Sequence, residues 1–205
     1  MLTLYSMQTS GNSYKPRLLF AHLRLPFRIV DVDTMNGETR TGEYLALNPI
    51  GKAPMVLFED GRRLAESNAI LLHFAEGSRF LPGDPFDRAK CYEWLFFEQY
   101  CHEPSLAVRR SLRLYPQRRH LATPERMEEL LKGGNEALAV MEGRLSGHDW
   151  LAGEAFSVAD ISLYAYTHDA EENGGYDMSL FPGVAAWLER VAAEPGHVPV
   201  DWRPR

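Results

Sequence analysis

The hydrophobic pattern changes character once along this chain, at the turn-rich joint Pro82-Gly83-Asp84-Pro85, and that change constrains the fold more than any other feature. Before the joint, short strand patterns alternate with helical ones. Leu2 to Ser6 is short and apolar. From about Ser13 a helix is predicted, with Tyr14, Leu18, Ala21 and Leu25 at helical spacing until Pro26. Phe27 to Val32 is rich in strand formers, and Glu43 to Leu47 is a short helix ended by Asn48-Pro49. Met55 to Phe58 and Arg62 to Ala65 flank Asp60-Gly61, a hairpin signal in which both turn residues are expected at positive φ. Ser67 to Glu76 carries Ile70, Leu71 and Phe74 on one helical stripe. The order β-α-β-α-β-β-α implies one small sheet covered by helices, an α/β unit.

After the joint every pattern is helical. Helices are expected from about Phe86 to Leu114, Pro124 to Leu145, Val158 to about Ala170, and Pro182 to Ala193. Pro124 and Pro182 sit where a helix can start, because the first turn has no use for their missing N–H. Leu131, Leu138, Met141 and Leu145 form one apolar seam, and Val184, Trp187, Leu188 and Val191 another. Ser157-Val-Ala-Asp160 reads as a capping box, with Phe156 and Ile161 as its hydrophobic staple. The expected organisation is therefore an α/β domain over residues 1–79 and an all-helical bundle over 86–205.

Composition narrows the function. Hydrophobic residues make up 45% of the 205, enough to bury a core without disulfides. Lys plus Arg number 22 against 28 Asp plus Glu, so the net charge is −6 and nothing draws the chain to nucleic acid or an anionic membrane. The exception is the cluster Arg109, Arg110, Arg113, Arg118 and Arg119, read as a solvated helix face ahead of an anion site. Cys91 and Cys101 fall in one helical stretch, where ten residues rise about 15 Å, too far for an internal bridge. The start of the chain has no apolar leader and no stretch is long enough to span a membrane, so the cytoplasm is the expected location. Seven histidines are scattered without a metal-ligand spacing, so no metal is expected.

One constellation carries chemistry. In Asn48-Pro-Ile-Gly-Lys-Ala-Pro-Met-Val-Leu57, Pro54 opens a strand and removes a donor, which lets a ligand approach the backbone edge. After the hairpin, Glu66-Ser67 opens a helix whose free N–H groups and positive dipole end suit a small carboxylate, while Glu66 suits an ammonium. A carboxylate and an ammonium on one carbon describe an amino-acid head group.

Asn-Pro-x-Gly-x-x-Pro, a hairpin and Glu-Ser-x-Ala-Ile resemble the glutathione-binding half of glutathione transferases, and the helical second half with its capping box is similar to theirs. The resemblance implies a thioredoxin-like first domain and glutathione as co-substrate. It implies a cis bond before Pro54, with the backbone of Met55 pairing the cysteinyl part of glutathione. Glu66 and Ser67 then hold the γ-glutamyl end, and Lys52 lies toward the glycyl carboxylate. It also implies a homodimer.

The group that holds the sulfur as a thiolate is open among several donors. A thiol of pKa about 8.5 is only ~3% ionised at neutral pH, and lowering it by about two units gives ~75%. Thr9-Ser10-Gly11-Asn12-Ser13-Tyr14-Lys15 resembles serine-type members; the zeta class carries Ser-Ser-Cys-Ser-Trp-Arg here, and its leading serine falls on Ser10. Ser10 is the first candidate. Ser13 is second, since bacterial relatives place a cysteine there, and its plain role is an N-cap. Tyr5 lies in the register of the catalytic tyrosine of other classes, and Asn12 is a further donor. The zeta-like motif is incomplete, so the isomerase activity of that class does not follow from it. The absence of cysteine from this loop argues against an enzyme using its own sulfur.

An electrophile pocket is expected between the domains, lined by Thr9 and by Tyr92, Phe96, Tyr100 and Pro104, although core packing is the expected role for most of these aromatics. Asp169, Glu171 and Glu172 beside Gly174-Gly175 read as an exposed acidic loop. The leading expectation is a transferase that activates glutathione against a small, apolar electrophile. The rivals are a glutathione-dependent peroxidase, disulfide reductase or isomerase, and a non-catalytic regulator of the same fold.

Overall fold

A computed structural model describes residues 1–204. The chain forms two compact units, the first made of Met1–Glu76 and the segment from Pro195, the second of Gly77–Glu194.

The first unit is an α/β layer. Strands β1 (Leu2–Ser6), β2 (Phe27–Asp31), β3 (Met55–Leu57) and β4 (Arg63–Ala65) form one sheet in the order β2-β1-β3-β4. β1 runs parallel to β2 from Leu2↔Phe27 to Ser6↔Asp31, and antiparallel to β3, where Tyr5 faces Met55. β4 returns antiparallel to β3, with Met55 opposite Ala65. Helices α1 (Gly11–His22), α2 (Gly42–Leu47) and α3 (Ser67–Ala75) complete the order read from the sequence. Leu4, Val56, Phe20, Phe27 and Ile70 are buried together as the core of this unit.

Three local expectations are corrected here. Helix α1 begins at Gly11 rather than about Ser13, because Ser10 is its N-cap and accepts the Ser13 N–H at 3.3 Å. In the hairpin only Gly61 takes positive φ; Asp60 instead accepts the N–H and the guanidinium Nε of Arg62 at 3.0 and 2.6 Å, closing the turn by its side chain. The segment from Pro195, read with the helical domain, belongs to the first unit. Trp202 packs its ring 6.2 Å from that of Phe27, and Arg203 meets both carboxylate oxygens of Asp31 at 2.9 Å.

The second unit is helical: α4 (Pro85–Phe97), α5 (Glu103–Leu114), α6 (Pro124–Leu145), α7 (Val158–Thr167) and α8 (Pro182–Ala193). The expected single helix from Phe86 to Leu114 is interrupted by a π-helical turn at Glu98–His102, which buries both Glu98 and His102. The arginine cluster is not a solvated face at its centre. Arg109 and Arg110 are buried: Arg110 pairs with Asp169, and Arg109 donates to the carbonyls of Gly174, at 2.9 Å, and Met127. Arg113 donates to the Asn173 carbonyl at 2.8 Å. These bonds fasten a second π-helical turn, Ala170–Gly174, so the expected acidic loop is exposed only at Glu171 and Glu172, while Asp169 is buried. Cys91 and Cys101 are both free thiols.

The start of α7 holds this unit together. Ser157 and Asp160 make the expected capping box, and Phe156 and Ile161 of the staple are buried. The Asp160 carboxylate accepts from the N–H groups of Leu151 and Ser157, the Ser157 hydroxyl and the Trp187 indole, at 2.9 to 3.1 Å. Burial nevertheless pushes its carboxyl up to about 6. Asp160→Ala strands these donors in the interior and should cost about 3 kcal/mol in urea unfolding. The raised folded-state pKa also sets a pH dependence. The folded chain holds the Asp160 proton more tightly than the unfolded one, so its stabilising effect is full below pH 3.8 and is lost as pH rises through about 6. Wild type should therefore lose stability relative to Asp160→Asn across that window; a flat difference would place the titration elsewhere.

Candidate functional site

The residues singled out in the first unit lie on three structural elements: the loop from β1 into α1, the turn into β3, and the start of α3. The Ala53–Pro54 peptide is cis, as the resemblance implies. Pro54 and Met55 are buried, and Met55 sits mid-sheet between Tyr5 and Ala65. Lys52 is exposed, and its carbonyl is held from behind by the Tyr44 hydroxyl and the Asn48 amide, each at 2.8 Å. Tyr44 also packs edge-on against Tyr5, with ring centroids 5.9 Å apart.

Helix α3 starts at Ser67, with Glu66 as its N-cap at φ 69°, a left-handed position unusual for a side chain of this size. The Glu66 side chain makes no cap bond and is exposed, and its carbonyl accepts the Ile70 N–H at 2.9 Å. An outward carboxylate therefore stands beside N–H groups of a helix start, the pairing of charges that an amino-acid head group requires.

Ser67 connects this corner to α1. Its hydroxyl donates to Asn12 Oδ1 at 3.1 Å and accepts from Lys15 Nζ at 3.4 Å. Lys15 is completely buried. The starts of α1 and α3 thus share one polar cluster, with the cation of Lys15 behind two helix N-termini.

The loop into α1 is closed from within. Ser13 is buried, and its hydroxyl accepts the Met7 N–H at 3.1 Å. Arg17, also buried, donates from Nε to the Ser13 carbonyl at 3.2 Å and from a terminal nitrogen to the Gln8 carbonyl at 2.7 Å. Burial lowers its guanidinium to about 10, so it keeps its charge at neutral pH. Ser10, by contrast, is half-buried at the helix start; its oxygen accepts the Ser13 N–H, and no acceptor for its own proton is found among the described residues. Of the two serines, only Ser10 combines access with a hydroxyl proton to give.

Lys15 and Arg17 were not anticipated from the sequence. Two cations flanking Pro16 in a helix otherwise read as apolar give only a weak signal, since charged residues are usually solvated. The aromatics of the second unit also depart from expectation. Tyr92 is half-buried, but Phe96 and Tyr100 are 73% and 86% exposed, so neither is core. Among the described residues no cluster of three or more histidine, cysteine, aspartate or glutamate side chains is arranged to hold a metal ion, and no helix is long and apolar enough to cross a membrane.

Comparison with known proteins identifies the family and agrees with the fold. Residues 1–76 match the glutathione S-transferase N-terminal domain and residues 98–195 the C-terminal domain. The disulfide-bond oxidoreductase YfcG of Escherichia coli is 30% identical, over 95% of this chain and 92% of that protein. The crystal structure of a possible glutathione S-transferase from Rhodopseudomonas palustris is 45% identical with a TM-score of 0.95, covering 100% of this chain and 91% of that one. A glutathione transferase from Burkholderia graminis, solved with two glutathione molecules bound per subunit, is 25% identical with a TM-score of 0.81, over 95% of this chain and 85% of that one. With a thioredoxin-like α/β unit, a helical unit and both family domains matched in order, the chain belongs to the glutathione S-transferase family.

Proposed function

We propose that the chain is a glutathione transferase in which Ser10 holds the glutathione sulfur as a thiolate. The observation that carries this reading is the hydrogen-bonded link from Ser67 to Asn12, which brings the helix start suited to an amino-acid end next to the loop that offers a hydroxyl to a thiol. The glutathione-bound relative from Burkholderia graminis supports the same ligand.

Each residue then has a task. On binding, the Ser67 hydroxyl turns its proton from Asn12 to the γ-glutamyl carboxylate, which the N–H groups at the start of α3 also hold, and Glu66 pairs with the ammonium. The backbone of Met55, opened by Pro54, pairs with the cysteinyl unit, and Lys52 faces the glycyl carboxylate. Ser10 donates its free proton to the sulfur, with the positive end of α1 adding to the same effect. A drop of about two units in the thiol pKa is worth ~2.7 kcal/mol and raises the thiolate some 25-fold at neutral pH. The thiol proton leaves to solvent, the sulfur attacks the electrophile, and a carbon–sulfur bond forms as the leaving group departs with its electron pair. The remaining acceleration comes from holding the electrophile beside the sulfur. Exposed Phe96 and Tyr100 of the second unit offer apolar surface for the second subunit of a homodimer. A cytoplasmic location fits the reading.

A second reading is favoured by one specific likeness, that to the disulfide-bond oxidoreductase YfcG. With no cysteine in the loop from Met7 to Ser13, the attacking sulfur would again be that of glutathione. It would displace one thiol of a disulfide, and a second glutathione would release oxidised glutathione, supplying the remaining electron. Both readings use the same bound thiolate, so parallel turnover of an aryl halide and a small disulfide separates them.

Two substitutions test the assignment. Ser10→Ala should lower kcat at neutral pH by up to about 25-fold with little change in glutathione affinity, as the thiolate fraction falls toward that of a free thiol. Full activity in that variant would pass the role to Asn12, Tyr5 or Ser13. Ser67→Ala removes one hydrogen bond to a charged group and should weaken glutathione binding by calorimetry about 10-fold or more. Unchanged affinity would remove the start of α3 from the site.

A further inference from the structure

The segment from Pro195 to Arg203 has no helix or strand, yet it is fastened to the rest of the first unit at several points. The Pro195 carbonyl lies 3.1 Å from His22 Nδ1, and the Val198 carbonyl accepts the Tyr14 hydroxyl at 2.6 Å, with His197 Nε2 3.3 Å from the same hydroxyl. The Val200 carbonyl accepts the Gln8 side-chain amide at 3.1 Å. Beyond it, Trp202 joins the core cluster and Arg203 grips both oxygens of Asp31.

Two of these fastenings matter for the loop that carries Ser10. Gln8 lies near the start of that loop, and Tyr14 lies in the first turn of α1, where its N–H donates to the Ser10 carbonyl at 2.9 Å. Both are held by backbone carbonyls of the same short segment, two residues apart. On the inner side Arg17 bridges the carbonyls of Gln8 and Ser13. The loop and the first turn of α1 are thus gripped on either side of Ser10 by the C-terminal segment and spanned from within by a buried cation. A hydroxyl-to-sulfur hydrogen bond weakens steeply as distance and angle depart from their best values. A loop free to shift by about an ångström would therefore lose much of its effect on the thiol.

We propose that residues 195–203 act as a strap that positions Ser10 by holding Gln8 and Tyr14, making the C-terminal segment part of the thiolate-stabilising machinery. The proposal rests on the glutathione reading above. It makes Gln8 and Tyr14 positioning residues, since neither needs to touch the sulfur.

The test separates positioning from folding. Gln8→Met with Tyr14→Phe removes the hydrogen bonds of both side chains to the strap but leaves Trp202 and the Arg203–Asp31 pair in place. The thiol of bound glutathione is titrated through the ultraviolet absorbance of its thiolate, and glutathione affinity is measured in parallel. The titration midpoint should rise by about one unit, so that the thiolate fraction at neutral pH falls roughly threefold, while affinity stays near that of wild type. A chain ending at Gly196 should give at least the same rise. If the double variant does not fold, Gln8→Met alone should still raise the midpoint, by less. A folded variant with the wild-type midpoint overturns the proposal, as does a loss of affinity at an unchanged midpoint. Failure of wild type to bind glutathione is a different result, which removes the underlying reading and the strap's role with it.

Discussion

The Ser67 hydroxyl is the interaction on which the first unit turns, because it accepts from the buried Lys15 ammonium and donates to Asn12, tying the start of α3 to the start of α1. An ammonium with no exposed surface is tolerated only where polar groups replace its water. Here the Ser67 oxygen supplies an acceptor for it, at the place where α1 and α3 begin. The sheet fixes the remaining geometry: β1 delivers Tyr5 and the following loop, its antiparallel neighbour β3 delivers Pro54 and Met55, and β4 leads directly into Glu66 and Ser67. Residues distant in sequence reach one corner because three strand ends do.

The second unit follows the same economy with other charges. Asp160 gathers donors from Leu151, Ser157 and Trp187; Arg110 pairs with Asp169; and the Glu142 carboxylate on α6 accepts the N–H groups of Gly183 and Val184, each at 2.9 Å, at the start of α8. Asp160 sits in the first turn of α7, Asp169 just beyond its end and Glu142 in the last turn of α6, near backbone groups that lack helical partners, while Arg110 reaches its partner from within α5. Charge in this protein secures the junctions between helices, and apolar seams fill the spaces along them.

The sequence made some of this legible. Helices α6 and α8 have the predicted boundaries because proline marks the first turn and an apolar seam continues to the end. The Glu66-Ser67 corner and the Pro54 turn could be read because their residues are close in sequence and each type has a narrow physical use. Other features gave no such signal. A π-helical turn differs from its flanks by one residue in a hydrogen-bond ring, so Glu98–His102 looked like uninterrupted helix. Arg109 and Arg110 looked solvated, and Lys15 and Arg17 carried no signal, because their partners are hydroxyls, carbonyls and a carboxylate brought in by folding. The strap was hidden for the same reason: Val198 and Val200 meet Tyr14 and Gln8 from the opposite end of the chain.

The account stands or falls on where glutathione sits, and a crystal structure of the protein grown with the tripeptide measures that directly. The account predicts its γ-glutamyl carboxylate at the Ser67 hydroxyl, its ammonium beside Glu66, its cysteinyl backbone along Met55, and its sulfur within hydrogen-bond reach of Ser10. Glutathione bound elsewhere with the Glu66–Ser67 corner empty, or a sulfur turned away from the start of α1, would contradict it.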